Sequence, residues 1–264
     1  MTAEIRELRE LEDLEAASQL FASIWGRADA LNTDMLKALA VSGSYISGAY
    51  VDGHLVGGLV GWLGGTPPNG LHMHSHILGV LPSNERGGLG FELKQHQRRW
   101  CLARGVKVVE WTTDPLVGRN VYFNVTKLGA EAPEYFINFY GEMHDGINVG
   151  EESDRLLIRW NLDTERAESA AAGSLQEPNV EKLRSWKADL MLSVGGEGEP
   201  VAGPASARVL LCQVPADIVE VRRKDPRVAR EWRIALRKAL TGAMERGYAI
   251  TGATRSGWYV LEST

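Results

Sequence analysis

The chain has 264 residues, of which 44% are hydrophobic and 24% charged, and a formal net charge of −5. That length has room for one large or two modest domains, and the composition is ordinary for a globular chain. The acidic balance argues against a general nucleic-acid binder, since no excess of cations is present to exchange for counterions.

The N-terminal run is acidic and lacks the apolar core of a signal peptide, and no run of about 18 apolar residues exists to span a bilayer. The expected setting is therefore cytoplasmic, with no membrane and no nucleic acid as partner. Cys101 and Cys212 each lie in apolar sequence, which fits buried free thiols in a reducing compartment.

In chain order, Glu4–Leu8 reads as a strand. Leu11–Trp25 reads as a helix, with Leu14, Ala17, Leu20, Phe21 and Ile24 on one face. Asn32-Thr33-Asp34 offers an N-cap to a second helix carrying Met35, Leu36, Leu39 and Val41. Two strands, Ser44–Val51 and His54–Leu63, meet at Asp52-Gly53, a strong hairpin signal. Gly57, Gly58, Gly61, Gly64 and Gly65 mark a bulge or a close approach of ligand or backbone.

The most informative stretch follows a turn at 66–70. From Leu71 the chain alternates, with Leu71, Met73, Ser75 and Ile77 on one side and His72, His74 and His76 on the other. It then turns continuously apolar through Leu78, Gly79, Val80 and Leu81 before Pro82. After Ser83-Asn84-Glu85 comes Arg86-Gly87-Gly88-Leu89-Gly90, and the period becomes helical. Leu89, Leu93, His96 and Trp100 share a face, Lys94, Gln95, Arg98 and Arg99 fall mostly elsewhere, and Gly105 closes the helix. Val106–Thr113 is a further strand and Arg119–Leu128 a helix. Tyr135–Tyr140 and Arg155–Leu162 are β-rich, separated by a polar loop holding Glu142, His144 and Asp145.

Composition changes at Asp163, and the run from Glu165 reads as a linker or frayed helix. Beyond it lie strands at Leu190–Val194 and Val209–Val214. A long helix opens at Asp225-Pro226 and runs to about Arg246, and a closing strand pair is expected at 248–251 and 258–261. The boundaries drawn are 1–164 for the first domain and 165–264 for a smaller α/β region packed on it, offering a formed pocket or a homodimer surface.

Strand, glycine-rich turn, helix is an anion-binding arrangement. Glycines admit a ligand to the backbone, and N–H groups at the helix start point into the turn. No Gly-Lys-Ser/Thr follows, and Gly87, Gly88 and Gly90 are out of dinucleotide register, so a pyrophosphate-containing ligand of another class is implied. The three histidines support two chemistries. One is proton transfer near neutral pH, and the other is a His-rich metal site completed by carboxylates such as Glu110 or Asp114.

Taken together, Gly-Val-Leu-Pro, Arg-Gly-Gly-Leu-Gly, the amphipathic helix, the next strand and Lys127-Leu128-Gly129-Ala130 resemble the GNAT acyltransferases over roughly residues 1–160. The resemblance implies an α/β (α+β) fold with a mixed central sheet flanked by helices. It also implies acetyl-CoA or another acyl-CoA as substrate, no metal, and direct N-acyl transfer to an amine or hydroxyl of a small-molecule acceptor.

By position, Gly79, Val80 and Leu81 become the pantetheine strand, and Arg86, Gly87, Gly88, Leu89 and Gly90 the pyrophosphate turn. Asn120 and Asn124 become partners of the pantetheine amides. His74 or His76 is the base in this reading, Glu110 and Asp114 are alternatives, and Tyr122 is the nearest substitute for an acid. Two positions depart from the family pattern. Glu85 stands where Arg or Gln is usual, and Val125 where a tyrosine is often found. A non-catalytic acyl-CoA-binding module is the alternative to an enzyme.

Overall fold

A computed structural model describes residues 3–26, 31–66, 70–141 and 152–263, without the side chains of Thr66, Glu85 and Arg86. The polar loop with Glu142, His144 and Asp145 lies outside the described residues. The chain forms two compact units, Met1–Trp111 with Asn161–Asp163 and Thr112–Trp160 with Thr164–Thr264.

The first unit carries β1 (Glu4–Glu7), α1 (Leu11–Trp25), α2 (Thr33–Val41), β2 (Tyr45–Val51), β3 (His54–Thr66), β4 (Gly70–Val80), α3 (Leu89–Leu102) and β5 (Val108–Thr113). Its strands pair in that order. All pairs are antiparallel except β4 with β5, which run parallel. Local chemistry sets the joints. Asn32 caps α2 by accepting from the Met35 N–H at 2.9 Å, and the β2–β3 turn places Asp52 and Gly53 at φ 50° and 77°, as a primed hairpin turn requires.

Helices cover both faces of this sheet. Leu14, Phe21, Leu36, Ile46 and Val60 form the core on the α1–α2 face. A Cβ on Gly58 would come 3.0 Å from Phe21, whereas one on the next-door Gly57 would meet Val80 and Leu93 of the α3 face. The glycines of β3 therefore serve close packing by the chain's own side chains and backbone, which leave no room for a ligand at Gly57, Gly58 and Gly61.

The second unit holds α4 (Gly118–Val121), which continues as a π-helix over Tyr122–Lys127, and the antiparallel pair β6 (Glu131–Phe136) and β7 (Arg155–Asn161). The helix expected over 119–128 is thus mostly π-helical, a form that often marks functional segments. Gly129 ends it at φ +72°, as the Lys-Leu-Gly ending implied.

The presumed linker contains the short helices α5 (Glu165–Ala171) and α6 (Val180–Ser185). Next come β8 (Asp189–Val194), β9 (Pro200–Ala202), β10 (Val209–Gln213), α7 (Ile218–Lys224), α8 (Pro226–Glu245), β11 (Tyr248–Ala253) and β12 (Trp258–Ser263). The strands form a sheet ordered β11-β12-β10-β8-β9. Asp225 caps α8, accepting from Arg227 and Val228 N–H groups. Among the described residues no helix is long and apolar enough to cross a membrane, and Cys101 and Cys212 are free and buried.

Charge holds the second unit together. Arg233 of α8, 3% exposed, donates to both oxygens of Asp114 at 2.6 and 2.8 Å. Arg237 does the same to the fully buried Asp154, which also accepts from the Tyr135 hydroxyl at 2.6 Å. Breaking such a buried pair leaves an uncompensated charge. Arg233→Ala is therefore expected to cost about 3–5 kcal/mol in urea unfolding. Arg227→Ala, which removes only exposed pairs to Glu231 and Asp225, should cost under about 1 kcal/mol.

A candidate active site on the central strand

β4 pairs with β3 along its whole length, from Thr66↔Gly70 to Gly57↔Val80. With β5 it pairs only at Met73↔Val109 and His74↔Glu110. Among the described residues, Ser75–Val80 run on without a β5 partner. The β3 register jumps as well: Val60 opposes Ile77 but Gly61 opposes Ser75, leaving His76 as the extra residue of a bulge.

The bulge resets the faces of the strand. Ser75 points to α3, where it accepts from Lys94, while Ile77 packs into the α1–α2 core and a Cβ on Gly79 would strike Trp25 at 2.6 Å. His76 and Ile77 therefore share a face, which corrects the simple alternation expected through Ile77. Gly79 owes its missing side chain to Trp25.

His72, His74 and His76 do lie together. The indole of Trp62 sits 5.0 Å from the His74 ring and 4.7 Å from that of His76, and the two imidazoles are 5.7 Å apart. His72 Nε2 is 3.7 Å from a carboxylate oxygen of Glu110, so this expected residue joins the cluster. Burial, with repulsion from His76, His72 and Lys94, pushes His74 down to about 4, and burial also lowers His76. Both rings are neutral at pH 7 and can accept a proton, but His74 is a much weaker base than a free imidazole, contrary to the near-ordinary value expected for it. His76 remains exposed. Among the described residues no group of three His, Cys, Asp or Glu side chains is placed to hold a metal.

The α3 face carries a group that the helical pattern assigned to solvent. Lys94 is 2% exposed, and its Nζ donates to Ser75 Oγ at 2.8 Å and Gln97 Oε1 at 3.2 Å. It also lies 3.7 Å above the Trp111 ring. Ser75 and Trp111 are the first residues of β4 and β5 beyond their last pair. Lys94 thus bridges the two strands where they part. Burial lowers its ammonium to about 7. The apolar neighbours Leu93 and Trp100 flank Lys94 and Gln97 on the buried side of the helix, and nothing in the period alone separates these polar positions from solvated ones.

The glycine turn forms at the start of α3. Pro82–Gly87 is a 3-10 turn, and Gly88, at φ +78°, precedes the helix with no side-chain cap on its first turn. Gly88 is required by its backbone. Gly87 and Gly90 are not: neither has a positive φ, and a Cβ at either would find nothing closer than 4.0 and 3.9 Å. A glycine in a helix costs roughly 0.5–1 kcal/mol relative to alanine, and the fold itself gives no reason for Gly90. Val80 and Leu81 lead directly into this turn, and Leu89 is buried beneath it at 5% exposure. The Arg86 side chain lies outside the described residues.

The remaining candidates belong to the second unit. Tyr122 opens the π-helix, and its hydroxyl accepts from Arg255 Nε at 3.0 Å. Asn124 is buried at 4% and Asn120 exposed. Asp114 is corrected as a base. Burial opposes its ionised form, but the Arg233 hydrogen bonds win and hold the carboxyl below its ordinary range.

The model of the acetyltransferase (GNAT) family matches residues 7–122. An N-acetyltransferase from Staphylococcus aureus Mu50 has a similar structure at 16% identity and TM-score 0.50, covering 62% of this chain and 100% of that one. An acetyltransferase of the GNAT family from Streptococcus pneumoniae matches at 13% identity and TM-score 0.49, covering 60% and 98%. Arabidopsis thaliana Naa50, in complex with the bisubstrate analogue CoA-Ac-MVNAL, matches at 17% identity and TM-score 0.48, covering 60% and 98%. Likeness at such identity shows the fold alone. No curated protein matches the chain.

Lys94 gives the site a measurable signature. The folded lysine holds its proton only below about 7 and the unfolded one up to 10.5. The unfolded state therefore binds more protons between those values, and folding stability rises with pH across that window. Lys94→Met is expected to flatten this rise, gaining on the wild type more at pH 6 than at pH 9. Urea unfolding at the two pH values checks it, and an unchanged pH dependence would contradict a buried titrating lysine.

Proposed function

Residues 7–122 form a GNAT acetyltransferase domain, and from that premise we propose an acyl-CoA-dependent acyltransferase that moves an acyl group, acetyl in the simplest case, from CoA to an amine of a small-molecule acceptor. One observation carries the proposal. β4 leaves its parallel partner after His74↔Glu110 and runs, with a free edge, straight into a helix start whose Gly87 and Gly90 have room the fold does not need. The 1–164 region holds this chemistry in our reading, and 165–264 is the C-terminal addition.

The turn receives the pyrophosphate through backbone amides of Gly87–Gly90 and the positive end of α3. Val80 and Leu81 offer main-chain groups to the pantetheine arm. The acyl carbonyl then lies toward the bulge, where proximity to the acceptor lowers the barrier. His76, neutral and exposed beside Trp62, takes the proton from the attacking nitrogen. His74 supports it from the ladder. The amide C–N bond forms as the thioester C–S bond breaks, and CoA leaves as the thiol once it gains a proton.

Gly90→Ala is the sharp test, because its Cβ meets only Leu78 at 3.9 Å and the fold tolerates it. The variant should be as stable as the wild type or slightly more so, yet bind acetyl-CoA at least about tenfold more weakly by calorimetry, a difference near 1.4 kcal/mol. Equal affinity would remove the anion role of the turn. Tight CoA binding without thiol release for any amine would favour the non-catalytic module.

A further inference from the structure

The first unit contains a cavity of about 550 Å³ on the α1–α2 face of the sheet, beside the histidine pair. Its wall is apolar and aromatic: Leu31, Met35, Leu39, Trp62 and Leu63, with His76 closing the side toward the β4 bulge. Ser42, Gly43 and Ser44 complete the lining, and no Asp or Glu is among the described lining residues. The size is that of a small-molecule site.

Two features resist explanation by the fold alone. Met35 is 53% exposed and Leu63 44% exposed, so apolar surface at the cavity is left in water. Trp62, which packs against both His74 and His76, turns its indole to this same space.

We propose that this cavity binds the acyl acceptor through an aromatic or aliphatic body, so that the substrate class is a hydrophobic monoamine presenting its nitrogen to His76. The assignment rests on the acyl-transfer reading and narrows it. A hydrophobic body gains by covering Met35, Leu63 and Trp62. A polyamine or other multiply charged acceptor would bring ammonium groups into a wall whose described residues supply no carboxylate, and burial of an unpaired charge is strongly unfavourable. The nitrogen that reacts enters as the free amine and gives its proton to the imidazole only as the C–N bond forms, so it needs no acidic partner.

The experiment compares acetyl-CoA-dependent thiol release with phenethylamine, hexylamine and spermidine, for the wild type, Met35→Glu and Leu63→Ser. Met35 is exposed and lies in the first turn of α2, where a carboxylate suits the helix start, so the glutamate variant should fold. We expect kcat/KM at least tenfold higher for the two hydrophobic amines than for spermidine. Met35→Glu should narrow that preference at least tenfold, and Leu63→Ser should weaken phenethylamine through KM more than kcat.

Spermidine turned over as well as phenethylamine, or a preference unmoved by both variants, would overturn the assignment. If no amine is turned over, saturation-transfer NMR with phenethylamine decides separately. Binding lost in Met35→Glu keeps the cavity as a hydrophobic-amine site while acyl transfer fails, and absence of binding overturns the cavity itself.

Discussion

β4 has two neighbours and pairs fully with only one of them. β3 holds it through ten residues of register, whereas β5 holds it at two positions before the strands part. Everything chemically suggestive in the first unit is placed by that partial pairing. The last rung carries His74 and Glu110, the bulge one step later presents His76, and the unpaired continuation delivers the chain to the helix start. A parallel strand that stays paired would have had no backbone edge to offer, and a β4 without the bulge would have put Ile77 on the wrong face of the sheet.

The two faces of this strand are treated differently. On the α1–α2 side, apolar residues and an aromatic–imidazole stack surround the bulge, and burial holds His74 well below an ordinary imidazole. On the α3 side, Lys94 spans the point of parting with hydrogen bonds to neutral partners and a ring beneath it. A buried cation with such partners is a stability cost at low pH, so its retention at this point of the sheet has a structural consequence: it fixes Ser75 and Trp111 relative to one another. In the second unit the same currency is used more conventionally, with Arg233 and Arg237 neutralising Asp114 and Asp154 across long sequence separations.

What was legible in the sequence was local. Asn32, Asp52-Gly53, Asp225-Pro226 and Gly129 each announce a cap or turn through backbone chemistry that needs no distant partner. The glycine turn was legible for the same reason, and the histidine cluster because strand side chains alternate. Lys94 was not, since a helical period separates apolar from polar and gives no sign that a lysine faces a serine and an indole. The bulge at His76 was hidden because nothing in Ser75-His76-Ile77 breaks an alternating pattern. The ion pairs of α8 were invisible because Asp114 and Arg233 stand 119 positions apart. The glycines of β3 did announce the bulge at Gly61 and a close approach, and what approaches them is Phe21, Val80, Met73 and the β4 backbone.

The central claim is that the free edge of β4 and the turn after it are one ligand site. Amide hydrogen exchange with and without saturating CoA tests it most directly. The account predicts that protection on binding concentrates in residues 75–90, with the amides of Gly87–Gly90 slowed most and β1–β2 unchanged. Protection confined to other segments, with 75–90 exchanging at the same rate in both states, would contradict it.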